Sequence, residues 1–354
     1  MLERDDIMLK IANRTISENS SVFVIAEAGV NHNGDLETAM KLVDAASKAG
    51  ADAIKFQIFQ TENLVIKDAK KAEYQKLTTS PDETQYDMLK KLELSYDDHV
   101  KIMEYCKRRN LIYLATPFDY ESADMLEQAD VPAFKIGSGD ITNIPFLKYI
   151  AKKKKPIILS TGMSNLGEIE EAIEAIKNTG NKSIFLLHCT SNYPTEYKDV
   201  NLNAMITMKN AFKLPVGYSD HTLGIEVAIA AVSMGALIIE KHFTLDKRMI
   251  GPDHKASLEP SELKLMIKSI RNIEAALGNG IKRCRENEKN VRDVARKSII
   301  AAKDIPSGSV ITEEMLITKR PGTGLPPKFF DYLIGKKARI HILKNTIIDF
   351  SMLE

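Results

Sequence analysis

Three cysteines in 354 residues, Cys106, Cys189 and Cys284, lie far apart in the chain. No CxxC pair exists, which excludes zinc-cluster and thiol-redox motifs, and so sparse and odd a count suits a reducing cytoplasm. A surplus of one charge is also missing, since 49 basic and 48 acidic residues leave a net charge of +1. Nucleic acid and anionic membrane surfaces are therefore not expected partners, and any positive potential must be confined to a pocket. Long apolar runs are absent too. The longest, Val227 to Ile239, is interrupted by Ser233 and Gly235. It falls short of the ~20 residues of a membrane span and reads as a buried helix followed by a strand. The start, Met1-Leu2-Glu3-Arg4-Asp5-Asp6, is acidic and carries no apolar h-region, so a cytosolic protein is expected. No G-x-G-x-x-G run follows the first apolar segment, which weakens a dinucleotide-binding reading.

What the chain does have is eight short apolar runs, starting at Val22, Ala53, Leu111, Ala133, Pro156, Ser183, Pro215 and Leu237. Each finishes in polar residues. In order these are Glu27; Lys55 and Gln57; Thr116; Lys135 and Ser138; Ser160 and Thr161; His188 and Ser191; Ser219, Asp220 and His221; Glu240 and His242. Core strands of a parallel sheet are apolar on both faces. Polar side chains at their ends are what a (β/α)₈ barrel uses to build an active site, because all eight ends open on one face. Helical periodicity fills the gaps, over Glu37–Lys48, Tyr96–Arg109, Leu166–Asn178 and Ser261–Leu277, with Gly50, Gly180 and Gly278 as stops. The expected fold is α/β, a TIM barrel over 21–280. A hairpin over 1–20 is expected to close its bottom, and the charged stretch 281–296 reads as a linker helix. A small β-rich domain over 297–354 follows. The long polar connection from Thr61 to Ser95 reads as a lid on the active face. The run Lys152 to Lys155 reads as a solvated turn on the opposite face.

At the mouth, His221 and His242 end neighbouring strands and, with carboxylate or water oxygens, suit a divalent ion. The alternative is that each only hydrogen-bonds a neighbouring loop. Lys55 and Lys135 end otherwise apolar strands, and buried lysines are costly unless paired. An anionic, oxygen-rich substrate would pair them, with Thr116, Ser138, Ser160, Ser191 and Ser219 supplying hydroxyls. Ion pairs with Glu27 or Glu240 would also satisfy them, and a desolvated lysine is in addition a Schiff-base nucleophile. Asp253, in Gly251-Pro252-Asp253-His254, is placed to bind a polyol hydroxyl. Arg320 precedes a turn in the small domain, where an arginine forks onto carboxylates or hydroxyls.

These residues sit in segments that resemble the sialic acid synthase family: Ile25-Ala26-Glu27-Ala28-Gly29-Val30-Asn31-His32-Asn33-Gly34, Lys55-Phe56-Gln57, Thr116-Pro117-Phe118, Lys135-Ile136-Gly137-Ser138-Gly139, Leu159-Ser160-Thr161-Gly162-Met163, Gly217-Tyr218-Ser219-Asp220-His221-Thr222, Glu240-Lys241-His242-Phe243-Thr244-Leu245-Asp246 and Lys319-Arg320-Pro321-Gly322. The resemblance runs from about residue 20 to the end, and its last part is similar to the antifreeze-like (SAF) domain. It implies an enzyme that condenses phosphoenolpyruvate with an N-acylated mannose-type sugar to a nine-carbon 2-keto acid and phosphate. A divalent ion, typically Mn²⁺ with Mg²⁺ or Co²⁺ as substitutes, would assist. By matching position it implies His221 and His242 as metal ligands. Lys55, Thr116, Lys135, Ser138, Ser160, Ser191 and Ser219 would hold phosphoenolpyruvate, and Gln57, Tyr193 and Asp253 the sugar. Glu27 would position or deprotonate water. A domain-swapped homodimer is also implied, with Arg320 entering the partner's active site. The segment Glu83–Leu92 looks closest to the legionaminic acid branch, which ranks 2,4-diacetamido-2,4,6-trideoxymannose ahead of N-acetylmannosamine as acceptor. Asp140, where some members carry glutamate, puts one sugar contact in doubt. Two competing readings are a Schiff-base aldolase using Lys55 or Lys135 and a non-catalytic sugar-binding protein.

Overall fold

The computed structural model describes residues 9–76, 78–80 and 82–354. The chain divides into two compact units, Met1–Gly278 and Asn279–Glu354. In the first, eight parallel strands alternate with helices: β1 (Phe23–Gly29), β2 (Ala53–Ile58), β3 (Ile112–Pro117), β4 (Phe134–Ile136), β5 (Ile157–Ser160), β6 (Ile184–His188), β7 (Val216–Asp220) and β8 (Ile238–His242). The spatial order is β3-β2-β1-β8-β7-β6-β5-β4, so the last strand pairs with the first, and β3 and β4 lie beside each other to complete the ring. This is a (β/α)₈ barrel, as the eight runs require.

Period-2 alternation then sorts every side chain. Val24, Ala26, Ile54, Phe56, Tyr113, Ala115, Ile157, Leu159, Val216 and Ile239 point outward into the shell of helices. Phe23, Ile25, Ala53, Leu114, Ala133, Ile158, Phe185, Leu187 and Ile238 point inward and fill the lower barrel. A short antiparallel hairpin, Leu9–Ile11 with Arg14–Ile16, adds Ile11 and Ile16 to that plug. Phe185 is 1% exposed within it. Phe185→Ala is expected to lower unfolding stability by about 3–5 kcal/mol in urea titration, because few neighbours can collapse into the space. A change under about 1 kcal/mol would contradict a close-packed barrel floor.

The helices begin and end where the sequence signals place them. The first, α1 (Leu36–Ala49), is capped by Asp35, whose side chain accepts from the Thr38 N–H, and stops at Gly50 with φ 88°. The helix Pro260–Leu277 starts one residue earlier than read, because Pro260 occupies the first turn where its missing N–H costs nothing. The connection from Thr61 to Ser95 is not featureless. It carries the one-turn helices Thr61–Leu64 and Glu73–Lys76 and a longer one, α2 (Gln85–Leu92). Buried Lys71 staples it by donating to Thr79 Oγ1 at 2.9 Å and to the Ser80 carbonyl, with Glu83 at 3.4 Å.

Two expectations are corrected. The turn 152–155 is not simply solvated: the Lys153 side chain is 7% exposed and pairs with Asp124 at 2.5 Å and Glu127 at 2.6 Å. The stretch 281–296 is helical only over Lys289–Ala295, after a 3₁₀ turn at Glu286–Glu288. Its few apolar residues, Ile281, Val291 and Val294, stay exposed rather than buried, and Lys282, Arg283 and Arg285 repel one another. The second unit has its own core of Ile299, Ala301, Ile305, Ile311, Leu316, Leu333, Ala338, Ile342, Ile348 and Leu353 around the antiparallel pair Ser298–Ala301 and Leu316–Lys319.

Candidate active site

Above the apolar floor the inward positions turn polar. Lys55 Nζ lies 2.5 Å from Glu27 Oε2 and donates to Thr116 Oγ1 at 3.1 Å. Lys135 Nζ donates to Ser160 Oγ at 2.6 Å and to the Ile136 carbonyl at 3.0 Å. Glu240 stands between the two amines, 3.9 Å from Lys55 and 3.8 Å from Lys135, and accepts from Ser219 Oγ at 2.9 Å. Seven of the eight strands thus contribute to one buried, water-poor cluster. The ion pairs weighed as the structural alternative for the lysines do form. They coexist with the hydroxyl set that an anion needs.

Electrostatics separates the two carboxylates. Burial raises the Glu27 carboxyl to about 7, against the opposing pull of Lys55. Burial acts on Glu240 the same way, but Lys135 and Lys55 outweigh it and hold that carboxyl below its ordinary range. Lys55 is kept above the usual lysine range because Glu240 and Glu27 overcome its desolvation. Lys135 is lowered by burial. A pair of carboxylates pushed apart in this way is able to divide acid and base roles.

The two strand-end histidines meet above this layer, ring centroids 5.6 Å apart. His221 Nδ1 is 2.7 Å from the Thr190 carbonyl, which only accepts, so this nitrogen carries the proton and Nε2 keeps its lone pair. His242 Nδ1 is buried without a hydrogen-bond partner. Burial lowers the pKa of both rings, that of His242 strongly, and so holds them neutral. Two neutral imidazoles with free nitrogens fit a divalent cation. Among the described residues no group of three or more His, Cys, Asp or Glu side chains could hold a metal ion, so a cation held by the two imidazoles would need further oxygen ligands.

Beside the histidines a cavity of about 90 Å³ is lined by Gln57, Gln75, Tyr193, His242, Pro252 and Asp253 and by the apolar Val30, Met88, Leu89 and Leu92. Met88, Leu89 and Leu92 belong to α2 and Gln75 to the same connection, so the long connection does reach the cavity. Burial raises Asp253 to about 6. Two asparagines of the β1–α1 loop fix the segment that carries it. Asn31 Nδ2 donates to the Phe243 carbonyl and Ser257 Oγ, each at 2.9 Å, and Asn33 binds the Ile250 carbonyl and His254 Nε2. On the opposite side Ser138 Oγ accepts from the Gly162 N–H at 3.0 Å and lies 3.2 Å from Cys189 Sγ. A Cβ on Gly162 would collide with Ser191 Oγ and sit 2.9 Å from Ser138 Oγ. Two hydroxyls and the Gly162 backbone N–H, already bonded to one of them, therefore converge there, a donor set of the kind that cradles anions.

Comparison with known proteins agrees with this geometry. Residues 42–282 match the NeuB family, and residues 296–354 match the SAF domain. The chain belongs to the NeuB family. It is 51% identical to the N,N'-diacetyllegionaminic acid synthase of Campylobacter jejuni over 92% of this chain and 98% of that one. The Legionella pneumophila protein of the same name is 48% identical over 94% of each chain. Among solved structures, the N-acetylneuraminic acid synthetase of Leptospira borgpetersenii in complex with citrate superposes with a TM-score of 0.71 at 35% identity. That match covers 81% of this chain and 95% of the other.

Within this NeuB-family barrel the structure brings together Glu27, Lys55, Thr116, Lys135, Ser160 and Ser219 in one network. Gln57, Tyr193, Asp253 and His242 share the cavity, and Ser138 and Ser191 share the Gly162 cradle. Arg320 belongs to the second unit, where it is exposed and donates from Nε to the Ala295 carbonyl at 3.0 Å. His188 is packed, its Nε2 2.8 Å from the Val200 carbonyl. Three contributors were not singled out from sequence: Glu240 as the bridge between both lysines, Gly162 as a cradle, and the Asn33–His254 clamp. The alternation of Glu240 with His242 was the available signal for the first.

Proposed function

We propose that this NeuB-family enzyme condenses phosphoenolpyruvate with 2,4-diacetamido-2,4,6-trideoxymannose, giving N,N'-diacetyllegionaminate and phosphate, with N-acetylmannosamine a poorer acceptor. The observation that carries the reading is the pair of buried lysines bridged by Glu240 beneath two neutral imidazoles. The names of the relatives, diacetyllegionaminic and N-acetylneuraminic acid synthases, point to the same chemistry. They lend nothing to a Schiff-base aldolase, and Lys55, held charged by Glu240 and Glu27, is a poor amine nucleophile. Val30, Met88, Leu89 and Leu92, which line the cavity among Gln57, Gln75, Tyr193 and Asp253, offer apolar contacts that acetamido and deoxy methyl groups would use.

In this mechanism Lys55, Lys135 and the surrounding hydroxyls bind the carboxylate and phosphate of phosphoenolpyruvate. They present C3 to the sugar aldehyde and C2 to water. The C3–C1 bond forms as the aldehyde C=O π bond opens, and the positive charge left at C2 is captured by water, whose proton passes to the Glu27 carboxylate, poised near neutrality, and on to the new C1 alkoxide. The tetrahedral product then loses phosphate by C–O cleavage, its hydroxyl proton leaving with the phosphate as C2 becomes the keto carbon. His221 and His242 would hold a divalent ion, which we take to be Mn²⁺; when bound, it would supply Lewis-acid polarisation of the aldehyde. Asp253, Gln57 and Tyr193 orient the acceptor. We further place the reaction in the cytoplasm of the cell and assign a domain-swapped homodimer in which Arg320 serves the partner's site. Among the described residues no helix is long and apolar enough to cross a membrane.

The test is phosphate release from phosphoenolpyruvate by metal-stripped enzyme, with and without Mn²⁺, on each sugar. Metal-dependent release, faster with the diacetamido sugar, is expected. No release with either sugar, from folded and metal-loaded enzyme, would overturn the reading.

A further inference from the structure

Strand alternation that turns His221 and His242 inward turns the residue before each outward. Those residues are Asp220 and Lys241, directly opposite in the β7–β8 ladder. Their side chains are fully buried, at 0% exposure each, and Lys241 Nζ donates to Asp220 Oδ2 at 2.7 Å. The same pair grips the residue after His221. Asp220 Oδ1 accepts from the Thr222 N–H at 2.9 Å and from Thr222 Oγ1 at 2.8 Å, and Lys241 Nζ donates to the Thr222 carbonyl at 2.6 Å. The His221 carbonyl in turn accepts the Thr195 N–H at 2.9 Å, next to Tyr193, whose ring centroid lies 4.2 Å from that of His221. Both backbone neighbours of His221, and the residue before His242, are thereby tied into one knot.

Stability alone does not account for this knot. Two apolar side chains of similar volume fill such a position without desolvating two charges, and exchanges of that kind are often neutral or stabilising. What an apolar pair cannot do is fix the azimuth of two adjacent strands and the conformation of the Asp220-His221-Thr222 turn at once. We infer that the Asp220–Lys241 pair is a positioning device for the metal site, holding the two imidazoles at a separation that binds a divalent cation. The inference rests on His221 and His242 being the metal ligands and assigns the pair no contact with metal or substrate.

The discriminating protein is the double variant Asp220→Asn/Lys241→Met. Both charges leave together, so no unpaired buried ion remains, and the asparagine oxygen still accepts from Thr222. Mn²⁺ is titrated into metal-free wild type and variant by calorimetry, with near-ultraviolet circular dichroism and thermal melting of the metal-free proteins in parallel. The expected result is a melt close to wild type and Mn²⁺ affinity about 10- to 100-fold weaker, the range found when groups that orient metal ligands are removed. Wild-type affinity in the folded variant overturns the inference. Asp220→Glu, which keeps the charge but displaces the grip on Thr222 by one methylene, serves if the double variant does not fold and is expected to weaken Mn²⁺ in the same direction; its unchanged affinity counts equally against the inference. Absence of saturable Mn²⁺ binding by wild type would instead bring down the metal reading itself, and this inference with it.

Discussion

Lys135→Met is expected to lower kcat/KM for phosphoenolpyruvate about a thousandfold. The amine sits at the bottom of the mouth with donors already aimed at Ser160 Oγ and the Ile136 carbonyl, and it faces Glu240 at 3.8 Å. A bound phosphate or carboxylate gains a charge-assisted hydrogen bond worth about 1.5–3 kcal/mol there. The same amine stabilises charge that develops as phosphate leaves, and the two effects together approach about 4 kcal/mol, a thousandfold in rate. Truncation also leaves buried Glu240 with the Ser219 hydrogen bond and, among the described residues, one cation, Lys55 at 3.9 Å, so a stability loss of about 3 kcal/mol accompanies it. The double variant Lys135→Met/Glu240→Gln separates the two effects. Removing both charges is expected to restore the unfolding midpoint and not the activity. Recovery of phosphate release in the double variant would reassign Lys135 to a structural role.

The barrel was legible because its strands obey two rules at once. Runs such as Ala53 to Ile58 are apolar enough to be central strands, and the exceptions, Lys55 and Gln57, fall on alternate positions and so on one face. The same rule makes His242 and Glu240 co-facial and Lys241 opposite. What the sequence hides is closure. Glu27 and Glu240 are 213 residues apart, and both reach Lys55 only because β8 pairs with β1. A one-dimensional reading therefore names each carboxylate as a possible partner without showing that Glu240 serves both lysines. Gly162 is opaque for a different reason: its contribution is a missing side chain, which becomes visible only when Ser138 and Ser191 are placed around it. Asn33 and His254 are silent for the same topological cause as Glu240, since the β1–α1 loop and the loop after β8 become neighbours only in the closed ring. The charged stretch 281–296 misled in the opposite sense. Its composition favours helix, but isolated helical turns without a buried face are marginal, and only Lys289–Ala295 forms one.

Mixing two inactive variants is expected to restore activity if Arg320 serves the partner's barrel. His242→Ala removes a nitrogen donor from the proposed metal pair, and Arg320→Ala removes a guanidinium from the second unit. Each homodimer then lacks one essential group at both of its sites. In a domain-swapped twofold dimer the mixed species contains one doubly damaged site and one intact site. Statistical subunit exchange makes about half of the dimers mixed, so about a quarter of wild-type phosphate release returns. The arginine side of the argument rests on what its own unit shows. Arg320 is solvent-exposed, its loop is anchored by Ser298 Oγ, which donates to the Pro321 carbonyl at 2.6 Å and accepts the Gly324 N–H at 2.8 Å, and no carboxylate pairs with it among the described residues. An exposed guanidinium on an anchored loop is prepared for a bidentate carboxylate or polyol contact and contributes little to folding. Complementation is measured after co-refolding or co-expression, with mixed dimers verified by two affinity tags. Zero recovery in verified mixed dimers would mean that each barrel is served by its own small domain. Full activity of the Arg320→Ala homodimer would instead show that Arg320 is dispensable.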